Sequence, residues 1–146
     1  MSPTHDERTI MTARAEFENL LGRAAWGFDE NDVDLIASCF SEGARMALRI
    51  GREGDLVGPF EGREAIRKLH ADSLASQTDQ RRHNLTNVIV EKESAEEATL
   101  VSNLSLLSVE NGSIRVLSSG WYRDQLVNEG GTWRIADRYV YLDLPY

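Results

Sequence analysis

His83 stands in the stretch Arg81-Arg82-His83-Asn84-Leu85-Thr86-Asn87, where an extended pattern begins, and Asp29 stands at the end of an N-terminal helical pattern. A histidine changes charge near neutral pH, and a carboxylate held against one ring nitrogen fixes the tautomer and leaves the other nitrogen to take a proton. The pair reads as an acid–base dyad, with His83 the general base and Asp29 the group that orients it and stabilises the imidazolium. Each residue also has an ordinary structural role open to it. A sheet can hold His83 by hydrogen bonds alone, and Asp29, two residues before Asn31, can cap a second helix. Against that, an anion at the C-terminal end of the first helix meets the unfavourable end of its dipole, so a compensating partner is expected, and His83 can supply it.

Trp26, His70 and Asn87 are the candidate lining of a substrate pocket around this pair. His70, on the apolar stripe of a later helix, is a core-edge histidine or a second acid. Trp121, Trp133, Tyr122, Tyr139 and Tyr141 read as core and interface aromatics. Arg138 reads first as an ion-pairing residue on the outer face, with a place in the pocket as the alternative. The three histidines, at positions 5, 70 and 83, reproduce no ligand spacing such as H-E-x-x-H, so no metal is expected. Gly51 to Gly62 is glycine-rich but matches neither the Walker nor the dinucleotide pattern. No cofactor is expected, and the segment reads as a mobile flap over a cavity mouth.

The chain has 146 residues, 41% hydrophobic and 27% charged, enough for one core and far from a disordered composition. A formal charge of −8 opposes binding to phosphate backbones, so nucleic acid is not an expected partner. No apolar run approaches the ~20 residues that span a bilayer, and Met1 to Thr12 lacks the apolar core of a signal peptide, so a cytoplasmic protein without membrane contact is expected. Cys39 is the single cysteine, which rules out a disulfide within the chain and a thiolate zinc cluster and leaves a small buried hydrophobe.

Residues 1–11 read as a flexible polar tail, His5 included, and residues 12–146 as one domain. Phe17, Leu20, Leu21, Ala24 and Phe28 recur at three- and four-residue steps and predict a helix from Thr12 to Phe28. Asn31 is the expected cap of a second helix through Cys39-Phe40, with Asp32 and Asp34 in its first turn. A strand follows over Ala44 to Ile50. After the glycine-rich segment, Ile66, Leu69, Ser73 and Leu74 predict a third helix. From Arg82 on the pattern is extended, with strands at Val88-Ile89-Val90, Thr99 to Val109, Ile114 to Val127 and Trp133 to Leu142, joined by short turn-rich links that fit hairpins. Helices first and an antiparallel sheet after them is the α+β order. The expected architecture is a cone-shaped α+β barrel, three N-terminal helices packed on a curved antiparallel or mixed sheet. Asn87, Ser102, Asn103 and Ser105 lie well inside strands and bring polar groups toward an otherwise apolar cavity.

Three stretches together resemble the SnoaL-like branch of the nuclear transport factor 2 superfamily: Phe28-Asp29-Glu30-Asn31-Asp32, Gly62-Arg63-Glu64-Ala65-Ile66 and Arg82-His83-Asn84-Leu85-Thr86-Asn87. The resemblance runs from about Thr12 to Asp143. Gly120-Trp121-Tyr122-Arg123-Asp124 and Trp133-Arg134-Ile135-Ala136-Asp137-Arg138 also resemble the C-terminal half of ring-hydroxylating dioxygenase β subunits, which share the fold and carry no active site. In catalytic members of the branch an Asp matching Asp29 supports a His matching His83. The resemblance therefore implies proton abstraction next to a leaving group or carbonyl. Some of those enzymes place Tyr or Lys five residues before the Asp, and here that residue is Ala24, so help to a leaving group from that position is not implied.

The expected function is a cofactor-independent dehydratase, isomerase or cyclase acting on a small hydrophobic metabolite of polyketide, steroid-like or aromatic type. A homodimer through the outer sheet face is the expected assembly. Two alternatives keep the fold and drop the chemistry: a non-catalytic partner like a dioxygenase β subunit, and a small-molecule binding protein.

Overall fold

The computed structural model describes the backbone of residues 5–146 and the side chains of residues 13–146. Helix α1 spans His5–Asp29, beginning seven residues ahead of the start expected at Thr12; the remainder of the expected tail, residues 1–4, and the side chain of His5 lie outside the described residues. The predicted stripe is the buried one, since Phe17, Leu20, Leu21 and Ala24 all lose nearly all contact with solvent. Fully burying a side chain such as Phe17 or Leu20 stabilises the fold by roughly 1.5–3 kcal/mol.

Helix α1 stops in a tight turn whose details set up everything downstream. Asn31 takes a left-handed conformation, φ 58°, so Asp32 rather than the expected Asn31 caps α2 (Val33–Ser38), accepting a hydrogen bond from the Leu35 N–H at 3.0 Å. Gly27 lies so close to α2 that a Cβ there would stand 2.9 Å from the Ile36 side chain, which fixes how the two helices approach. Helix α3 (Arg63–Ser76) follows Gly62 and buries Ile66 and His70.

Six strands, β1 (Phe40–Ile50), β2 (Leu56–Glu61), β3 (Gln80–Glu93), β4 (Glu97–Glu110), β5 (Ser113–Glu129) and β6 (Thr132–Leu142), form one sheet in the order β2-β1-β6-β5-β4-β3. All neighbours are antiparallel except β1 and β6, so the sheet is mixed. It curves around the helices but does not close, and its edges are β2 and β3. The hairpin turns are those the sequence predicts: Asn111 and Gly112 both take positive φ between paired Glu110 and Ser113, the geometry of a tight primed turn. The expected flap is corrected, because residues 56–61 form the edge strand β2, paired from Arg45↔Glu61 to Arg49↔Leu56. An edge strand tolerates Gly58 and Pro59, which lie where the β1–β2 register shifts and where the N–H that proline lacks is not needed to continue a ladder.

Two bulges decide which side chains face the helices. In β3, Asn87 takes φ 56° and Thr86 and Ile89 pair with Asn103 and Val101, so two residues of β3 oppose one of β4. In β6, Asp137 pairs with Gln125 and Ile135 with Leu126, leaving Ala136 as the extra residue. A bulge shifts the alternation of faces by one residue. Beyond them the inner face runs Val88, Val90 in β3 and Arg138, Val140, Leu142 in β6. On the outer face Trp121 lies between Tyr139 and Tyr141, 5.4 Å from each ring.

Candidate active site

Asp29 is the last residue of α1, and His83 lies near the start of the edge strand β3. Because Asp32 caps α2, the Asp29 carboxylate is free for another partner, and that partner is His83. Its Oδ1 lies 2.6 Å from the ring Nδ1, and both carboxylate oxygens accept the His83 backbone N–H, at 3.1 and 3.0 Å. The Gln80 side-chain amide donates to the Asp29 carbonyl at 2.7 Å, satisfying one of the open carbonyls at the helix end. A carboxylate accepts only, so Nδ1 carries the proton in this contact and Nε2 of the neutral ring holds the lone pair. The two side chains are 10% and 7% exposed, buried enough for their interaction to escape most solvent screening. The Phe28 ring stands edge-on to His83 at 4.4 Å and to His70 at 5.9 Å, holding both imidazoles apart at fixed tilt.

His70 turns inward from α3 and is 9% exposed. Its Nδ1 lies 2.8 Å from the Ile66 carbonyl, so Nδ1 donates there and Nε2 is the free acceptor. Burial pushes its pKa down to about 4; the Ile66 hydrogen bond works against this, and the Arg138 charge and the neighbouring His83 add to it. At neutral pH His70 is therefore an uncharged acceptor, which removes the role of proton donor from it.

Arg138 is where the inner-face phase shift has its largest chemical consequence. It is buried, not on the outer face, and its Nε and Nη2 donate to Asp124 Oδ1 and Oδ2 at 2.7 and 3.1 Å. The guanidinium lies 4.6 Å from the centre of the Tyr122 ring and 5.6 Å from that of Phe40. Burial pushes the Tyr122 phenol up to about 12, with the nearby Asp124 carboxylate adding to the shift and Arg138 opposing it, so the phenol remains a donor. Reading alternation straight through β6 from Trp133 and Ile135 puts Asp137 inside. Reading backward from Val140 and Leu142 puts Arg138 there, and that clash of phase was the available signal.

His83, His70 and Tyr122 line a cavity of about 120 Å³ between the helices and the sheet; Ser73 and the exposed Tyr146 stand at its rim, and its other walls are apolar, among them Met46, Leu69, Leu104, Leu106 and Val140. A narrow extension of about 20 Å³ reaches Arg138 past Ala24 and Ile36. On the other side of the Asp29–His83 pair, between α1 and the β3 edge, runs a surface groove of about 820 Å³ lined by Arg14, Glu18, Trp26, Arg82 and Asn87. Alternation from His83 predicts Asn87 facing inward with it; the bulge at Asn87 turns it outward instead, to an exposed position on this groove. Trp26 also stands there, 59% exposed. Of the polar strand residues expected inside, Ser102 is buried with its hydroxyl unpaired, whereas Asn103 and Ser105 face out. Among the described residues no cluster of three His, Cys, Asp or Glu side chains is placed to hold a metal ion. No helix among them is long and apolar enough to cross a membrane.

Comparison with protein families matches residues 9–139 to the SnoaL-like domain. Comparison with curated proteins returns no significant match. Among solved structures, the Rv3472 protein of Mycobacterium tuberculosis, whose function is unknown, is 26% identical with a TM-score of 0.76 over 97% of this chain and 76% of that one. A protein from Novosphingobium aromaticivorans assigned as an aromatic-ring-hydroxylating dioxygenase β subunit has a TM-score of 0.81 at 13% identity, covering 94% of both chains. One from the same organism assigned as a scytalone dehydratase has a TM-score of 0.75 at 18% identity, covering 94% of this chain and 89% of that one. The last two likenesses show a shared fold.

Proposed function

The chain belongs to the SnoaL-like family, and we propose that it is a cofactor-independent acid–base enzyme of the dehydratase, isomerase or cyclase kind, acting on a small hydrophobic molecule in the interior cavity. The observation that carries this reading is the 2.6 Å contact of Asp29 with His83, reinforced by the same carboxylate on the His83 backbone. In the proposed reaction His83 Nε2 removes a proton from carbon, and the electron pair left behind moves onto an adjacent carbonyl oxygen. Asp29 stabilises the imidazolium that forms. The Tyr122 O–H favours the oxygen that gains charge. The imidazolium then returns its proton to a leaving hydroxyl, giving elimination of water, or to another carbon, giving isomerisation. With Ala24 at the cavity wall, departure of the leaving group depends on this proton. Homodimerisation through the Trp121, Tyr139 and Tyr141 face is part of the same proposal.

Proton transfer by a positioned side chain contributes about 10²- to 10⁴-fold. It can be read without the natural substrate, as exchange of carbon-bound hydrogen for deuterium in small cyclic ketones incubated with the protein in D₂O. The wild type is expected to catalyse exchange, and His83→Ala and Asp29→Asn to lower it by that factor with the fold intact. Undiminished exchange in both variants would overturn the assignment. A second reading, a non-catalytic partner of the dioxygenase β-subunit kind, is favoured by the 0.81 TM-score. It predicts no exchange and a co-purifying iron–sulfur subunit.

A further inference from the structure

The size and donor pattern of the cavity limit what it can hold, and we infer that its ligand is a neutral, monocyclic carbonyl compound, a ring of about six atoms with few substituents, rather than a fused-ring, steroid-sized or carboxylate-bearing molecule. The inference rests on the function proposed above and narrows the expectation of polyketide or steroid-like substrates. The first ground is volume. The main cavity is about 120 Å³ and its extension toward Arg138 about 20 Å³. An apolar protein cavity of ~150 Å³ takes up benzene, whereas drug-sized ligands occupy pockets of ~300–1,000 Å³. Its aliphatic walls at Leu104, Leu106, Val140 and Leu142 are themselves buried in the sheet and helix core and have no room to retreat.

The second ground is charge. The one buried cation among the described residues, Arg138, is already matched in two-point fashion by Asp124, and Asp29 adds a further negative charge beside the cavity. An anionic ligand would be stripped of water with no free cation to meet it. The third ground is an open donor. Tyr122 is 9% exposed, lines both parts of the cavity, and its hydroxyl has no hydrogen-bond partner among the described residues. A hydroxyl that opens onto the cavity without a protein partner can donate to an acceptor on the ligand, and a neutral carbonyl oxygen is one that leaves the charge balance undisturbed.

The test is a binding panel on the full chain, read by ligand-observed NMR and by thermal shift: cyclohex-2-enone, cyclohexanecarboxylate, 1-tetralone, androst-4-ene-3,17-dione and toluene. Cyclohexenone is expected to bind at least ten-fold tighter than the carboxylate, with no binding of tetralone or the steroid. Tyr122→Phe should weaken cyclohexenone about ten-fold and leave toluene unchanged, toluene also reporting that the variant is folded. Leu69→Ala, at a partly exposed wall position, should admit tetralone. Failure of cyclohexenone to bind, equal or tighter binding of the carboxylate, binding of tetralone or steroid to the wild type, or an unchanged cyclohexenone affinity in Tyr122→Phe would each overturn the inference. These outcomes are separable from the catalytic reading. Cyclohexenone bound without deuterium exchange would remove the chemistry and keep the ligand class; exchange on a bound bicyclic ketone would do the reverse.

Discussion

The interior cavity and the outer groove share one wall, the Asp29–His83 pair, and differ in nearly everything else. The groove is several times larger, about 820 against 120 Å³, yet its lining is solvated: Trp26 stands open to water, and Arg14 is tied up by Glu18 at 3.1 Å and by the Val88 carbonyl at 2.8 Å. The cavity is small, but His83 and His70 are held there by hydrogen-bonding partners, and burial shifts the acidity of His70 and Tyr122. Charges and dipoles act strongly where water is excluded and weakly where it is not. On the function proposed above, size is a poor guide to where chemistry is done, and the desolvation of a few fixed donors and acceptors is a better one.

The contrast predicts that changes on the cavity side are costly and those on the groove side nearly silent. The largest effect belongs to Arg138→Ala, which leaves Asp124 charged, buried and unpaired. A loss of about 3–5 kcal/mol in urea denaturation is expected, while replacing both partners with apolar residues of similar volume should restore most of it. A loss under about 1 kcal/mol in the single variant would show that water reaches the pair and would blur the distinction between the two regions.

Next is the acid sensitivity of His70. Its folded-state pKa, about 4, lies below the ordinary value of 6.5, so between these limits the unfolded chain binds a proton that the folded one refuses. The stability this leaves intact above pH 6.5 is lost as pH falls toward 4, by an amount on the order of 3 kcal/mol. His70→Leu should flatten that part of the stability profile. An unchanged slope would show that His70 is solvated like a groove residue. Trp26→Ala stands at the other extreme: its contact with Arg82 spans 6.0 Å at an exposed site, so a stability change below about 1 kcal/mol and unaltered deuterium exchange are expected. A ten-fold loss of exchange in this variant would move the ligand to the groove.

Much of this was legible in the residues. The α1 stripe, the hairpin turns and the Asp29–His83 pairing rest on periodicity, turn chemistry and the resemblance of whole motifs, and they survive small local irregularities. What escaped was everything downstream of a bulge. Asn87 and Arg138 exchange faces relative to straight alternation because one extra residue in β3 and one in β6 reset the phase, and Tyr122 with Asp124 acquire meaning only once Arg138 is inside. The cap passed from Asn31 to Asp32 because Asn31 was needed in the left-handed turn. Strand β2 hid behind Gly58 and Pro59, residues that read as breakers unless the strand is known to be an edge. Cavity size depends on how side chains of six strands interdigitate, which no single stretch encodes.

The claim on which the rest depends is that Asp29 holds the neutral His83 ring with its proton on Nδ1 and its lone pair on Nε2, facing the interior. The ¹⁵N imidazole spectrum of histidine-labelled protein reads this directly. The expected result is a His83 signal pair with Nδ1 protonated and Nε2 bare, the Nε2 resonance moving when cyclohexenone binds and the Nδ1 pattern collapsing in Asp29→Asn. A proton found on Nε2, or an Nε2 resonance indifferent to a ligand shown to be bound, would contradict it.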